Sequence, residues 1–372
     1  MIALAATLLL LACGSVPVQA PVAPPIAPPP TRVENAPSPT GPVIMQPRSR
    51  WVAAAWSDLP GFADDSLFEA WGAWLKSCER PTPVFAALCT EVRRLSIADA
   101  AEQRAWMQQR LQPYRVESAQ GDADGLLTSY FEPTLEASRL ALPGFSVPLY
   151  QPPANLAQRK PWFTRQEIDT LPEAQTALRG RAIAYVANPV DALVLQIQGS
   201  GRLHLLQADG SYRWVRLAYA GSNDHPYRSV GRWLLDQGLV RDASWPGIKG
   251  WLGQNPQRQQ ELLWSNPRVV FFREEVLADA DAGSGPRGAQ GVSLTPGRSI
   301  AVDPGSIPYG TPVWLVSSGL QANLQKLVLA QDTGSAISGA VRADYFAGWT
   351  VEAAELAGRL RQRVQLWALW PK

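Results

Sequence analysis

Beyond residue 110 the apolar runs of this chain are short, β-branched, aromatic or alternating in character, and they stop at glycine or proline. Runs at 126–131, 182–187, 193–197, 212–218 and 269–272 therefore predict strands, as do those at 299–302, 312–316, 326–330 and 364–370. Helical spacing predicts helices through Leu67, Trp71, Trp74, Leu75 and Cys78, from Ile97 to Leu111 with Pro113 as the stop, and from Val351 to Arg361. Shorter helices are expected after the capping-box pattern Thr164-Arg165-Gln166-Glu167, from Ser229 to Gln237 before Gly238, and from Pro256 to Trp264. Many short strands with few helices exclude a doubly wound α/β sheet and predict a mainly β fold built on β-barrels.

At 372 residues, 46% of them hydrophobic, the chain can fill two domains after its N-terminal leader. The net charge of +2 comes from acids and bases spread evenly along the chain, so no nucleic acid is expected as a partner. Two histidines, His204 and His225, and three cysteines, Cys13, Cys78 and Cys89, form no metal-ligand spacing, so neither metal nor cofactor is expected. The 15 tryptophans can stack on sugar faces, although core packing is the commoner use of such rings.

Residues 1–12 read as a signal peptide, because the apolar run from Ile2 to Ala12 is too short to span a bilayer. No Lys or Arg precedes Arg32, so the usual positive n-region is missing. Leu10-Leu11-Ala12-Cys13 resembles a bacterial lipobox, which implies lipidation at Cys13. Gly14-Ser15 lacks the aspartate that retains lipoproteins at the inner membrane, and the resemblance therefore implies the outer membrane, periplasmic face. Residues 13–48, rich in proline and alanine, predict a disordered tether with a reach of about 100 Å. In an oxidising compartment Cys78 and Cys89 are expected to form a disulfide, with two buried thiols as the alternative.

Four segments carry candidate chemistry. Gln331-Asp332-Thr333-Gly334-Ser335 runs into Ser338-Gly339 and Arg342-Ala343-Asp344, so two aspartates flank a glycine-rich loop that follows an apolar strand. Asp303-Pro304-Gly305 turns between two strands. Gln198-Gly199-Ser200-Gly201 lacks the spacing of a nucleotide site. Thr128-Ser129-Tyr130-Phe131-Glu132-Pro133 offers hydroxyls that either face a polar substrate or alternate outward from a strand. Any one aspartate in a glycine-rich turn is more often an Asx-turn residue than a catalyst.

In this order, together with Tyr219-Ala220-Gly221, His225, Tyr227-Arg228-Ser229, Asn266-Pro267 and Phe271-Phe272, these segments resemble the membrane-bound lytic murein transglycosylase A family with its C-terminal 3D (three-aspartate) domain. The resemblance runs from about Leu126 to the C-terminus. It implies a discontinuous double-psi β-barrel at 49–132 and 275–372, and an inserted smaller β-domain at 133–274 forming the other wall of a glycan groove. It implies that Asp344 is the catalytic acid, that Asp332 supports it, and that Thr128, Tyr130, Gln198, Ser200, Gly221 and Asp303 contact the substrate.

The implied reaction is that of a peptidoglycan lytic exotransglycosylase, although the residues themselves leave endo and exo attack open. The sugar's own C6 hydroxyl is the nucleophile, so one carboxyl suffices where an ordinary glycosidase needs two. Expected partners are peptidoglycan strands, the outer membrane through the lipid anchor and, as a candidate, a cell-wall synthesis complex, with the protein as a monomer. Three other readings stand: a noncatalytic wall-binding lipoprotein, a hydrolase leaving reducing ends, and an aspartic-protease-like peptidase using the Asp332-Thr333-Gly334 loop.

Overall fold

The computed structural model describes residues 41–277 and 283–372. The leader, Cys13 and most of the expected tether lie outside them. Among the described residues the first regular structure lies inside the stretch expected as tether, where β1 (Val43–Met45) pairs antiparallel with β2 (Arg50–Ala53). Proline-rich flanks hid this short β-branched run, whose pairing with β2 brings Trp51 fully into the core.

The remaining strands are β3 (Leu111–Glu117), β4 (Gly125–Tyr130), β5 (Thr134–Ser138), β6 (Val147–Tyr150), β7 (Ala182–Val186), β8 (Ser200–Leu206), β9 (Tyr212–Ser222), β10 (Val270–Val276), β11 (Ser299–Val302), β12 (Pro312–Ser318), β13 (Asn323–Asp332), β14 (Arg342–Phe346) and β15 (Arg361–Pro371). They form two sheets, ordered β1-β2-β3-β15-β12-β13-β11-β14-β4 and β10-β9-β8-β5-β7-β6. In the first, β15 also pairs with β4 through Arg361–Val364, so β15, β12, β13, β11, β14 and β4 close into a six-stranded ring. Closure removes the open edges of these strands. The mainly β, barrel-based class expected from the sequence is the class observed, with more short helices than the apolar spacing disclosed.

Leu127, Ile300, Val302, Val313, Leu315, Val328, Leu366 and Ala368 fill the barrel. Its outer face carries Trp314, Leu327, Leu329 and Trp367, against which the helices Phe68–Ser77 and Ala100–Arg110 pack Trp71, Trp74 and Trp106. Eight of the 15 tryptophans are buried, which assigns most of them to packing. Cys78 and Cys89 form the expected disulfide, which joins the end of the helix Phe68–Ser77 to the start of a short helix, Cys89–Arg94.

Residues 193–197, read as a strand from their apolar run, instead lie in the helix Pro189–Gln198. The side chain of Asn188 caps it, Pro189 occupies its first position, and Gly199 ends it at φ 81°. A short apolar run does not reveal its period, and these terminators decided the matter. The Gly-Ser-Gly turn therefore joins a helix to β8. A Cβ at Gly201 would meet Leu195 Cδ1 at 2.6 Å, so that glycine lets the helix lie against the strand.

The sheets are tied together at a buried ion cluster. Glu132, just past β4, accepts from Arg202 Nε on β8 at 2.8 Å and Arg216 Nε on β9 at 2.6 Å. Both guanidinium groups also donate to the Ser284 carbonyl, and Arg202 lies 3.7 Å from the ring centroid of Trp349.

Candidate active site

Three neighbouring strands bring the two aspartates together. Ala301 on β11 is in register with Asp344 on β14 and with Asp332 at the end of β13. An irregularity in the β11–β13 pairing passes over Gln331, whose amide is buried against Ala73 and Ser77, and puts Asp332 opposite Ala301. With one strand between them, the aspartates stand about 10 Å apart along the backbone. Ala301, small enough to leave space, lines the groove between them.

β4 runs parallel to β14 and sets Thr128 opposite Asp344. Arg342 Nη2 donates to Thr128 Oγ1 at 2.7 Å. A guanidinium only donates, so the threonine hydrogen goes to Asp344 Oδ1, its short-range partner, and Oδ2 remains to carry a proton. Tyr130, two residues along β4, donates to Asp332 Oδ2 at 2.8 Å, and the Ala289 amide donates to Oδ1 at 2.9 Å.

Burial pushes the Asp344 carboxyl above its ordinary value, opposed by the Thr128 hydrogen bond and the charge of Arg342. Burial likewise pushes Asp332 up, to about 6, against the hydrogen bonds from Tyr130, Thr333 and Ala289, while the charge of Asp344 adds to the rise. The Tyr130 hydroxyl, buried and facing both carboxylates, is raised well above its ordinary value and stays protonated as a donor.

These groups line a groove of about 840 Å³, closed on the other side by Gln198, Tyr227, Ser244 and Arg268 from the second-sheet segment. Five of the residues expected from the sequence meet there: Thr128, Tyr130, Gln198, Asp332 and Asp344. Gln198 Oε1 accepts from the Phe131 amide at 3.0 Å and so also ties the helix end to β4.

Three expected contacts do not line the groove. Ser200 is buried at the start of β8 opposite Ala218, and Gly221 sits on β9 opposite Phe271. Asp303 accepts from the amides of Gly305 (3.0 Å) and Gly339 (2.9 Å) and from Arg48 (3.1 Å), which makes it a brace for the glycine-rich loop. Burial pushes that carboxyl up, but the two amides and Arg48 outweigh it and hold Asp303 below its ordinary value. Four arginines along the groove, Arg268, Arg342, Arg359 and Arg361, were not singled out from the sequence. Only Arg342 had a local signal, its place two residues before Asp344. Arg361 reaches the groove because β15 pairs it with Thr128, a long-range contact with no trace in the sequence. No tryptophan lines this groove, and no group of three or more His, Cys, Asp or Glu among the described residues is placed to hold a metal ion.

Residues 126–273 match the family model of the MltA specific insert domain, and residues 298–370 match that of the 3D domain. Membrane-bound lytic murein transglycosylase A of Vibrio cholerae is 31% identical over 276 residues, 70% of this chain and 70% of that protein. This chain belongs to the membrane-bound lytic murein transglycosylase A family. Among solved members and relatives, the lytic transglycosylase LtgG of Burkholderia pseudomallei is 40% identical and covers 89% of this chain and 97% of its own, with a TM-score of 0.61. MltA from Neisseria gonorrhoeae is 28% identical over 90% of this chain and 96% of its own, with a TM-score of 0.74. In this member of the family, a carboxyl with raised proton affinity, one oxygen of which meets no donor among the described residues, faces a groove of about 840 Å³.

Proposed function

We propose that this chain is a lytic transglycosylase that cleaves the β-1,4 bond between N-acetylmuramic acid and N-acetylglucosamine in peptidoglycan, with Asp344 as its single acid and base. The observation that carries the reading is the hydrogen-bond order Arg342 to Thr128 to Asp344, which leaves Asp344 Oδ2 to hold a proton in the groove.

In the first half of the reaction Asp344 gives that proton to the glycosidic oxygen, the C1–O bond breaks, and the departing N-acetylglucosamine leaves with a free 4-hydroxyl. Positive charge grows at C1 and is stabilised by the Asp332 carboxylate, held in place by Tyr130 and the Ala289 amide. In the second half the C6 hydroxyl of the same muramic acid attacks C1, the C1–O6 bond forms, and its proton passes to Asp344, which restores the acid. No water is consumed. Intramolecular attack gains from effective concentration once the ring is held in a suitable conformation.

Gln198, Tyr227 and Arg268 act as contacts from the opposite wall, so that segments 49–132 and 275–372 form one domain and 133–274 the other. A lipid on Cys13 anchors the protein at the periplasmic face of the outer membrane, and the tether upstream of Val43 carries the monomeric enzyme to the wall and to any synthesis complex it joins. Support for membrane association comes from the relatives' name and from the Leu-Leu-Ala-Cys pattern.

The peptidase reading is not favoured. An aspartic dyad shares one proton between adjacent carboxyls, whereas Tyr130 and Ala289 occupy the oxygens of Asp332. Mass spectrometry of sacculi digested by the full chain tests the proposal. Anhydro-muramic ends are expected, and reducing ends, peptide cuts or intact sacculi would each refute it.

A further inference from the structure

A second cavity of about 450 Å³ adjoins the groove, and Ser244, Gly358 and Arg359 line both. Its walls are Phe131, Leu135, Val194, Trp245 and Ala354. The size falls within the roughly 300–1,000 Å³ of ligand clefts. Its charged groups come in pairs of opposite sign. Lys249 and Asp191 are bonded to each other at 2.7 Å. Glu355 and Arg359, one turn apart on the helix Val351–Arg359, also line the cavity; among the described residues neither side chain takes a hydrogen bond or ion pair, and the charge of Arg359 is felt by Asp242 in the groove.

This lining fits poorly with a further sugar. A saccharide is uncharged on every edge except at muramic acid and carries hydroxyls all round, which apolar walls would leave unsatisfied. An uncharged ligand would also make no use of a cation and an anion a helical turn apart, neither of them held in an ion pair among the described residues. The stem peptide on the lactyl group of muramic acid has the complementary chemistry: alanine methyls alternate with ionised carboxylates, and the diamino residue adds an ammonium group. It is attached to the very sugar whose C1 must lie beside Asp344, and the shared lining residues give it a route from the groove without leaving the protein surface.

We propose that this second cavity binds the stem peptide of the muropeptide, with Arg359 receiving a stem carboxylate, Glu355 the diamino-acid ammonium, and the Trp245–Ala354 walls the alanine methyls. The proposal rests on the reading of the groove as a muramic acid site and extends it to the substrate's peptide. The enzyme would then prefer peptide-bearing strands to naked ones.

Two measurements on the full chain test it. In the first, ligand-observed NMR follows a lactyl-tetrapeptide bearing a diamino acid. Binding by the unaltered protein is expected, lost in Ala354→Phe, which fills the cavity, and weakened about tenfold in Glu355→Gln, as for the loss of one charge-assisted bond. In the second, kcat/KM is compared on sacculi and on amidase-stripped glycan. A preference of about tenfold or more for peptide-bearing strands is expected to shrink towards unity in both variants, neither of which alters a residue lining the catalytic groove. Absence of peptide binding by the unaltered protein, or binding that survives Ala354→Phe, would overturn the proposal. So would equal turnover of both substrates. If peptide binding behaves as expected while no glycan is cut, it is the assignment of Asp344 that fails and the peptide site that stands.

Discussion

The barrel carries a buried carboxyl on one side and a half-buried one on the other, and it treats them in opposite ways. On the side packed by the tryptophan helices, Asp65 receives both Nη atoms of Arg298, at 2.7 and 2.8 Å, and the Leu327 amide at 2.8 Å. Burial pushes it up, but these donors outweigh burial and hold it below its ordinary value. On the groove side Asp344 receives one hydroxyl, and burial prevails. The difference lies in the donors. A carboxyl given a guanidinium fork and an amide is held below its ordinary value and ties a loop to a strand, whereas one given a threonine hydroxyl is held above it.

The sharpest way to break this contrast is at Asp344. Asp344→Asn should release anhydro-muropeptides from sacculi about 10² to 10⁴ times more slowly, the range for loss of a general acid, while its thermal unfolding stays close to that of the unaltered chain. Activity within tenfold of the starting protein would remove Asp344 from the acid's role. Asp65→Ala should do the reverse. Leaving Arg298 buried with only the exposed Glu69 as carboxylate partner should cost about 3–5 kcal/mol in urea unfolding, with turnover per folded molecule preserved.

Two smaller effects refine the comparison. Thr128→Val removes the one hydroxyl that lowers the Asp344 pKa, so the alkaline limb of the rate profile should move to higher pH while kcat falls about tenfold through loss of orientation. Asp332→Asn removes the neighbouring negative charge and should move that limb to lower pH, since like charges on the two carboxyls oppose each other's ionisation. The stability effects should also have opposite signs. Asp332, raised to about 6, binds its proton more tightly in the folded state, so between about pH 4 and 6 it makes stability fall as pH rises. Asp65, lowered, contributes stability that is present above its unfolded pKa and lost as pH falls through its folded value. Urea titrations of Asp332→Asn and Asp65→Ala across pH 3 to 7 separate the two, and equal slopes would refute the contrast.

Legibility in the sequence followed the range of the interactions involved. The capping box at Thr164, the stop at Gly238 and the disulfide are local or nearly so, and each was readable. The strands around Asp332 and Asp344 were readable too, because alternation and glycine mark them. The helix Pro189–Gln198 was misread, since its interior is equally suited to a buried strand and only Asn188, Pro189 and Gly199 distinguish it. Asp303 carried the same Asp-Pro-Gly signal whether it faced substrate or braced a loop, and its partners Arg48 and Gly339 lie far away in the chain. Arg361 was invisible for the same reason. Its place is set by pairing across the barrel closure.

That closure has a consequence for timing. Thr128 and Asp344 are separated by 216 residues, and the ring holding their strands is sealed only when residues 361–371 dock between β4, β12 and β3. A chain without that segment keeps Thr128, Asp332 and Asp344 and has no sealed ring to align them. Alignment of the two aspartates with Thr128 therefore waits on a strand that follows all of them in the chain.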